Sequence, residues 1–326
     1  MANFNNSKKL PVLYFVFFVL VILFWLVYMV STDSFGLYLK HWGAALTMVF
    51  GSFIAGSSPE GSAAVAYPVF TLILKIAPPV ARNFAFAIQS IGMTSASLLI
   101  LGLGIKVEWN YIKYVTLGGV FGLIFGTFYI VPLVSPLLAK LFFVSLWLSF
   151  GIALWLENRK TKRTVKDFIQ NFRRSDMVRL LVFGFIGGII SSLFGTGINI
   201  FTFCLMTIYY GINEKVAIPS SVIIMTLETI LGFFLHSQVL NDFQQQAFEM
   251  WIVCMPVVII FAPLGAFIIN KIPRNYVAGL LYWILIVQFF GAIWVIKPSI
   301  WQLGLCMTVL IVGLGGFLYI AKTARK

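Results

Sequence analysis

Charge is what this chain has least of. Only 10% of its 326 residues are Asp, Glu, Lys or Arg, while 60% are hydrophobic; a soluble domain carries about 25% charged residues. With a mean hydropathy of +0.98, a water-soluble globule is excluded and a polytopic helical membrane protein is expected. Acidic groups are the scarcest: ten Asp and Glu stand against 23 Lys and Arg, a formal charge of +13. The bases cluster in a few short connections between apolar runs, a pattern that sets orientation in a membrane, so no nucleic-acid partner is expected. Three cysteines, Cys204, Cys254 and Cys306, lie inside apolar runs without paired spacing, which gives neither a disulfide framework nor a metal site. The two histidines, His41 and His236, stand at segment ends, far apart, and read as interfacial residues rather than ligands. No HExxH, P-loop, GxSxG or CxxC spacing occurs. An ATP-driven pump or a membrane protease therefore has no support, and neither enzymatic activity nor a cofactor is expected.

What the chain does have is a series of long apolar runs. The first, 11–30, follows Lys8 and Lys9 and has bulky aromatics and no small-residue cleavage site, so it is read as a retained helix rather than a signal peptide. It belongs to a unit 1–40. A first repeat, 41–157, holds a broken hairpin at 41–76 and helices at 78–104, 110–132 and 136–157. A basic linker, 158–176, follows. A second repeat, 177–296, has a hairpin at 177–210 and helices at 215–235, 247–270 and 275–296, and 297–326 supplies a last helix and a basic tail. Prolines at helix starts, such as Pro78, Pro79 and Pro136, fit the missing donor of that residue.

The hairpins are read from two interrupted stretches, GSFIAGSSPEGSAAVAYPVFT at 51–71 and GGIISSLFGTGINIFTFCLMT at 187–207. An unbroken helix over 41–76 would be roughly 54 Å long, far beyond a hydrocarbon core of about 30 Å. The chain must fold back, as two short helices around Ser57, Ser58, Pro59, Glu60, Gly61 and Ser62 in the first stretch. In the second, the break falls at Gly195, Thr196, Gly197 and Asn199. Lipid does not tolerate exposed backbone at such a tip, so each must line a protein-enclosed cavity, and a pair of broken segments in corresponding places points to a transporter's binding site. At an offset of 136, Gly51 matches Gly187, Ile54 matches Ile190, Gly61 matches Gly197, Thr71 matches Thr207 and Ala81 matches Ala217. With the linker in the cytoplasm, Lys8, Lys9, Lys106, Lys113, Lys271, Arg274 and the C-terminal tail fall on the same side; Arg82, Lys140 and Lys297 go against the rule. Each half then makes an odd number of crossings, so the expected fold is all-α with two inverted-topology repeats, each a broken hairpin plus three transmembrane helices, and one extra helix at each end.

Tip backbone N–H groups near Gly61, Ser62 and Ala63, and near Gly197, Ile198 and Asn199, favour an anion. Ser57, Ser58, Ser62, Thr196 and Asn199 add side-chain hydrogen bonds, and Gly195 belongs to the same break. The rival reading is that these small residues only let helices pack closely. A surrounding shell is expected from Asn83, Gln89 and Ser90 on one helix and Ser220 and Thr226 on another, where Gln89 pairs with Met225 and Ser90 with Thr226 at the repeat offset. Arg82 is placed at the outer mouth, either attracting anions or snorkelling. Glu60 and Glu228 are intramembrane carboxylates that take up a proton or find a cation, Glu60 being the better candidate for proton coupling; an ordinary carboxylate at a wet tip is the alternative.

At these residues the chain resembles the sulfite exporter TauE/SafE family, also called the toluene sulfonate uptake permease family, whose halves each carry a glycine-rich break followed by an apolar stretch and V-P. Here the first half has Pro59-Glu60-Gly61-Ser62-Ala63 and Tyr67-Pro68, and the second Gly195-Thr196-Gly197-Ile198-Asn199 and Phe203-Cys204, with Pro219 and Ser220 beyond. The glycine motif is eroded in both. The resemblance implies a secondary transporter, an exporter of a small sulfur-containing anion such as sulfite or a sulfonate, in a bacterial plasma (inner) membrane with both termini cytoplasmic. The expected partners are that anion, a coupled proton or cation, and the lipid bilayer; nothing in the sequence sets an oligomeric state. An anion channel on the same symmetry, or a membrane scaffold or assembly protein, are the alternatives.

Overall fold

The computed structural model describes residues 11–62, 66, 69–159 and 165–323, with the side chains of Leu72 and Pro136 left aside. Lys8, Lys9, Ala63, Tyr67, Pro68, Arg325 and Lys326, on which parts of the orientation and motif readings rest, lie outside the described residues. Eleven α-helices follow one another among those residues: α1 Val12–Ser31, α2 Leu37–Ser57, α3 Pro78–Gly102, α4 Trp109–Phe125, α5 Pro136–Asn158, α6 Arg174–Phe194, α7 Ile198–Cys204, α8 Glu214–Phe234, α9 Gln245–Lys271, α10 Arg274–Ile296 and α11 Ile300–Lys322. No strand forms among them. Among the described residues nine helical segments are long and apolar enough to cross a bilayer, and the chain is an integral membrane protein.

Helix ends are set locally. Pro78 and Pro79 start α3, where the absent N–H has no helical partner to lose. Asn213 caps α8 through Lys215 N, and Asp176 turns back onto Arg173 N at the start of α6. That Asp176 carboxylate is fully buried and also accepts from Arg179 and the Tyr210 hydroxyl.

Each interrupted stretch folds back, but the arms are unequal rather than two short helices. α2 and α6 are 21 residues each, roughly 31 Å, while the helical return over Ile198–Tyr209 is shorter. The reason lies at the start of the long arm. Half of a core of about 30 Å needs about ten residues, and the rest of α2 continues past it to where Lys40 and His41 meet Glu249 at 2.6 and 2.8 Å. Both returns close alike. A π-helical turn, Val69–Ile73 or Leu205–Tyr209, leads into a left-handed residue, Lys75 or Gly211, and a backbone bond, Ile76 N to Phe70 O or Ile212 N to Met206 O.

The long arms pack across the chain. α2 runs parallel to α9, from Lys40 against Glu249 to Gly56 against the Ala262 carbonyl. α6 runs parallel to α4, with Gly118 on Leu181, Gly122 on Phe185 and Gly126 on Ile189. Missing side chains let these backbones touch, the usual means of helix contact where lipid removes the hydrophobic drive. α3 and α8 lie antiparallel: Ser97 bonds Thr226 at 2.8 Å and Phe86 lies on Gly232.

At one end of these helices the described part of the polar linker is clamped against the helices. Glu108 accepts from Ile169 N at 2.9 Å, Lys166 bridges to Ile212, and Phe172 stacks on Tyr114. Of its four apolar residues, Val165, Phe168, Ile169 and Phe172, Phe168 alone is exposed. Nearby, Arg274 holds the fully buried Glu214 and Asn158, joining the ends of α10, α8 and α5.

Candidate functional site

The two tips meet. At the first, Ser58 leaves the helix in an extended conformation and accepts from Glu60 N at 3.3 Å, and Gly61 turns left-handed at φ +69°. At the second, Gly195 caps α6 at φ +76° and Gly197 opens α7. A Cβ on Gly61 would lie 2.6 Å from Thr196 Oγ1, 3.1 Å from Gln89 Oε1 and 3.1 Å from Met225 Sδ. Gln89 and Met225 stand near the middles of α3 and α8, so both breaks are held at mid-height between these two helices. Gln89 ties them: its Nε2 donates to Ala85 O and, at 3.1 Å, to Gly195 O, while its Oε1 faces the first tip.

Beside the contact lies a cavity of about 30 Å³ bordered by Glu60, Lys140, Thr196, Gly197 and Gln288, with Phe143, Trp147 and Phe194 among its apolar walls. By this measure one water needs about 10–15 Å³, so the space is of the size of a few waters. Glu60 is 3% exposed and Lys140 7%. Among the described residues, five buried side-chain oxygens on or next to these tips, Glu60 Oε1, Ser62 Oγ, Gln89 Oε1, Glu228 Oε1 and Gln288 Oε1, have no hydrogen-bond partner; such groups are rare unless a ligand, proton or water serves them. A larger cavity, about 250 Å³, lies between α5 and α10 but is lined by Leu148, Ile152, Trp155, Leu285 and other residues that carry no charge.

Of the expected site residues, Glu60, Gly61, Ser62, Gln89, Gly195, Thr196, Gly197 and Asn199 come together; Asn199 accepts from Thr196 Oγ1 at 3.4 Å. Ser57 and Ser58 are buried and, among the described residues, bond within their own turn. Others are placed elsewhere. Asn83 binds Asp242 O and Gln244 Oε1 beyond the end of α8, and Arg82 joins the same cluster through Asp242 at 3.6 Å, with His236 on the other carboxylate oxygen. Ser90 bonds back to Ala87 O. Ser220 receives Glu108 N, and Thr226 meets Ser97. Ile198 N–H, expected as a free donor, is already taken by Ser191 Oγ, which donates in turn to Glu228 Oε2 at 2.9 Å. Glu228 therefore braces the far side of the second tip.

Lys140 and Gln288 were missed by reasoning from sequence. Lys140 looks there like a positive charge on the wrong side of the membrane. The signal that marks it is its place inside the apolar run 136–157, where a lysine needs a reason. The three cysteines are buried thiols, and no His, Cys, Asp and Glu group among the described residues has metal-site geometry. Comparison with curated proteins and with solved structures gives no match. A model of the family described as sulfite exporter TauE/SafE matches residues 43–291, a span that takes in both hairpin tips, Lys140 and Gln288. The chain thus belongs to the sulfite exporter TauE/SafE family of membrane transporters.

Proposed function

We propose that the protein is a secondary transporter that exports a small sulfur-containing anion, sulfite or a sulfonate, by alternating access. The observation that carries this reading is the meeting of two hairpin tips, Gly61 against Thr196, beside a cavity lined by Lys140 and Glu60. Ser62, Gln89, Thr196, Gly197 and Asn199 bind the anion's oxygens when the tips part, and Ser57 and Ser58 shape the first tip. Membership of the family supports the substrate class. Two inverted halves, 41–157 and 177–296, rock about the tips. The antiparallel run of α3 and α8, and the paired left-handed residues Lys75 and Gly211 at the repeat offset, support that symmetry. The membrane is a bacterial inner membrane, with both termini and the linker 158–176 cytoplasmic.

Glu60 carries the coupled proton in this reading, because it lines the cavity, whereas Glu228 is engaged by Ser191. Glu228→Gln keeps an acceptor for Ser191 and is expected to transport within about fivefold of wild type, the loss of one charge-assisted bond. Its flux-against-pH curve keeps the wild-type shape; a displaced curve removes the assignment to Glu60. The function itself is tested by flux into proteoliposomes of sulfite, thiosulfate, sulfonates, carboxylates and phosphate at two pH values. Saturable flux of a sulfur anion is expected. Non-saturating, voltage-driven flux makes the protein a channel, carboxylates winning the screen changes the substrate, and no flux of any anion ends the reading.

A further inference from the structure

The cavity beside the tips is lined by one carboxyl group and one amino group, and nothing in the sequence had brought them together. Glu60 comes from the first tip and Lys140 from the second turn of α5, and both border the same space of about 30 Å³. Both are buried. The walls between them are apolar or neutral: Phe143, Trp147, Ile190, Gln288. The titratable groups that face Glu60 are Lys140 from α5 and the buried thiol of Cys204 from α7; Gln89, Thr196 and Gln288 are polar without charge. The lining is neutral overall when both charged groups are ionised. One Glu60 oxygen and the Gln288 carbonyl oxygen lack a hydrogen-bond partner, so the resting site leaves acceptors unserved.

We propose that Lys140 is the residue that holds the substrate's negative charge and that Glu60 competes for it, so that the site admits a singly charged anion only together with a proton on Glu60. This rests on the transporter reading above. One buried ammonium compensates one negative charge, and a second left in the same low-dielectric space is strongly disfavoured. An incoming monoanion therefore displaces the Glu60 charge, and the carboxyl group becomes neutral by taking up a proton. Its hydroxyl then donates to the anion or to Gln288 Oε1, which serves the unpartnered oxygens. Monoanion and proton together carry no net charge, so transport is electroneutral. A dianion such as sulfate leaves one charge uncompensated and is rejected.

The test uses the whole protein in liposomes, with methanesulfonate and sulfite as probes. Methanesulfonate stays a monoanion across the working pH range, so any coupled proton must ride on the protein. Wild-type flux is expected to follow a pH gradient and to ignore an imposed potassium-diffusion potential. Glu60→Gln lets the anion bind without a proton: its flux loses the response to the pH gradient and becomes driven by potential. Lys140→Gln loses saturable flux by roughly a hundredfold or more, the effect of removing one partner from a buried charged contact, and Lys140→Arg restores part of it. Should Lys140→Gln fail to fold, the Glu60→Gln response decides. Wild-type KM in Lys140→Gln, or undiminished pH drive in Glu60→Gln, overturns the inference while the transporter reading stands. If wild-type liposomes move neither probe, the transporter reading falls, and this inference with it.

Discussion

Gly61→Val is expected to reduce saturable anion flux by at least about a hundredfold, while the protein is still extracted as a folded species. Three effects combine at this position. The backbone is left-handed, at φ +69°, which disfavours an L-residue by roughly 1–2 kcal/mol and a β-branched one by more. A Cβ would stand 2.6 Å from Thr196 Oγ1, inside contact distance, and overpacking of this kind costs about 1–3 kcal/mol. Finally, the clash falls on the meeting point of the two tips, so relief comes from moving one of them, which is the motion proposed to expose the substrate. Gly279→Ala in α10, where an added Cβ meets nothing within 4 Å, is the matched control and should behave as wild type. Measured flux and detergent melting temperature separate the outcomes. A Gly61→Val protein with wild-type KM and rate would take the tip contact out of the mechanism.

Gln89→Leu should lower flux by about ten- to a hundredfold. Leucine is similar in size, so packing between α3 and the tips changes little, but the donor to Gly195 O at 3.1 Å is lost. A carbonyl left buried without a donor costs about 1–3 kcal/mol, and here that carbonyl caps the break in the second hairpin. The Oε1 atom aimed at Gly61 disappears as well. Gln89→Glu places there a carboxyl that burial keeps protonated, with one donor and an acceptor. Loss in the leucine variant alone shows that the hydrogen bonds to the tips matter; equal loss in both shows that the amide's two donated bonds, to Ala85 O and Gly195 O, are both needed. If both transport normally, Gln89 is only a packing residue on α3.

How much of this was legible beforehand differs by residue. The breaks at Gly61 and at Gly195 with Gly197 could be found because their evidence is local: a helix spanning 41–76 is too long for a bilayer, and glycine and serine clusters interrupt it. Glu60 could be found because an intramembrane carboxylate is conspicuous. Asn83, Ser90, Ser220 and Thr226 were assigned to the site because they lie on helices next to it. Which way each points depends on helix rotation and on the partner it meets, Asp242 and Gln244 for Asn83, Glu108 for Ser220, Ser97 for Thr226. Glu228, the lesser of the two carboxylate candidates in the sequence, accepts from Ser191 in the structure. Lys140 was hidden for the opposite reason, since a single base at a segment end reads as an orientation signal.

By itself the sequence determined that the chain lives in a membrane, that it is all helical, and where the backbone must turn back. Those follow from the energy of apolar surface and of unpaired peptide groups in lipid, which act on each segment alone. Only the tertiary structure decided that the turns meet, that Gln89 ties them, and that Glu60 and Lys140 share one cavity. Those contacts join residues 80 to 135 positions apart in most cases, and no local rule of hydropathy or helix capping relates such distant segments; the packing of α2 on α9 and of α6 on α4 does.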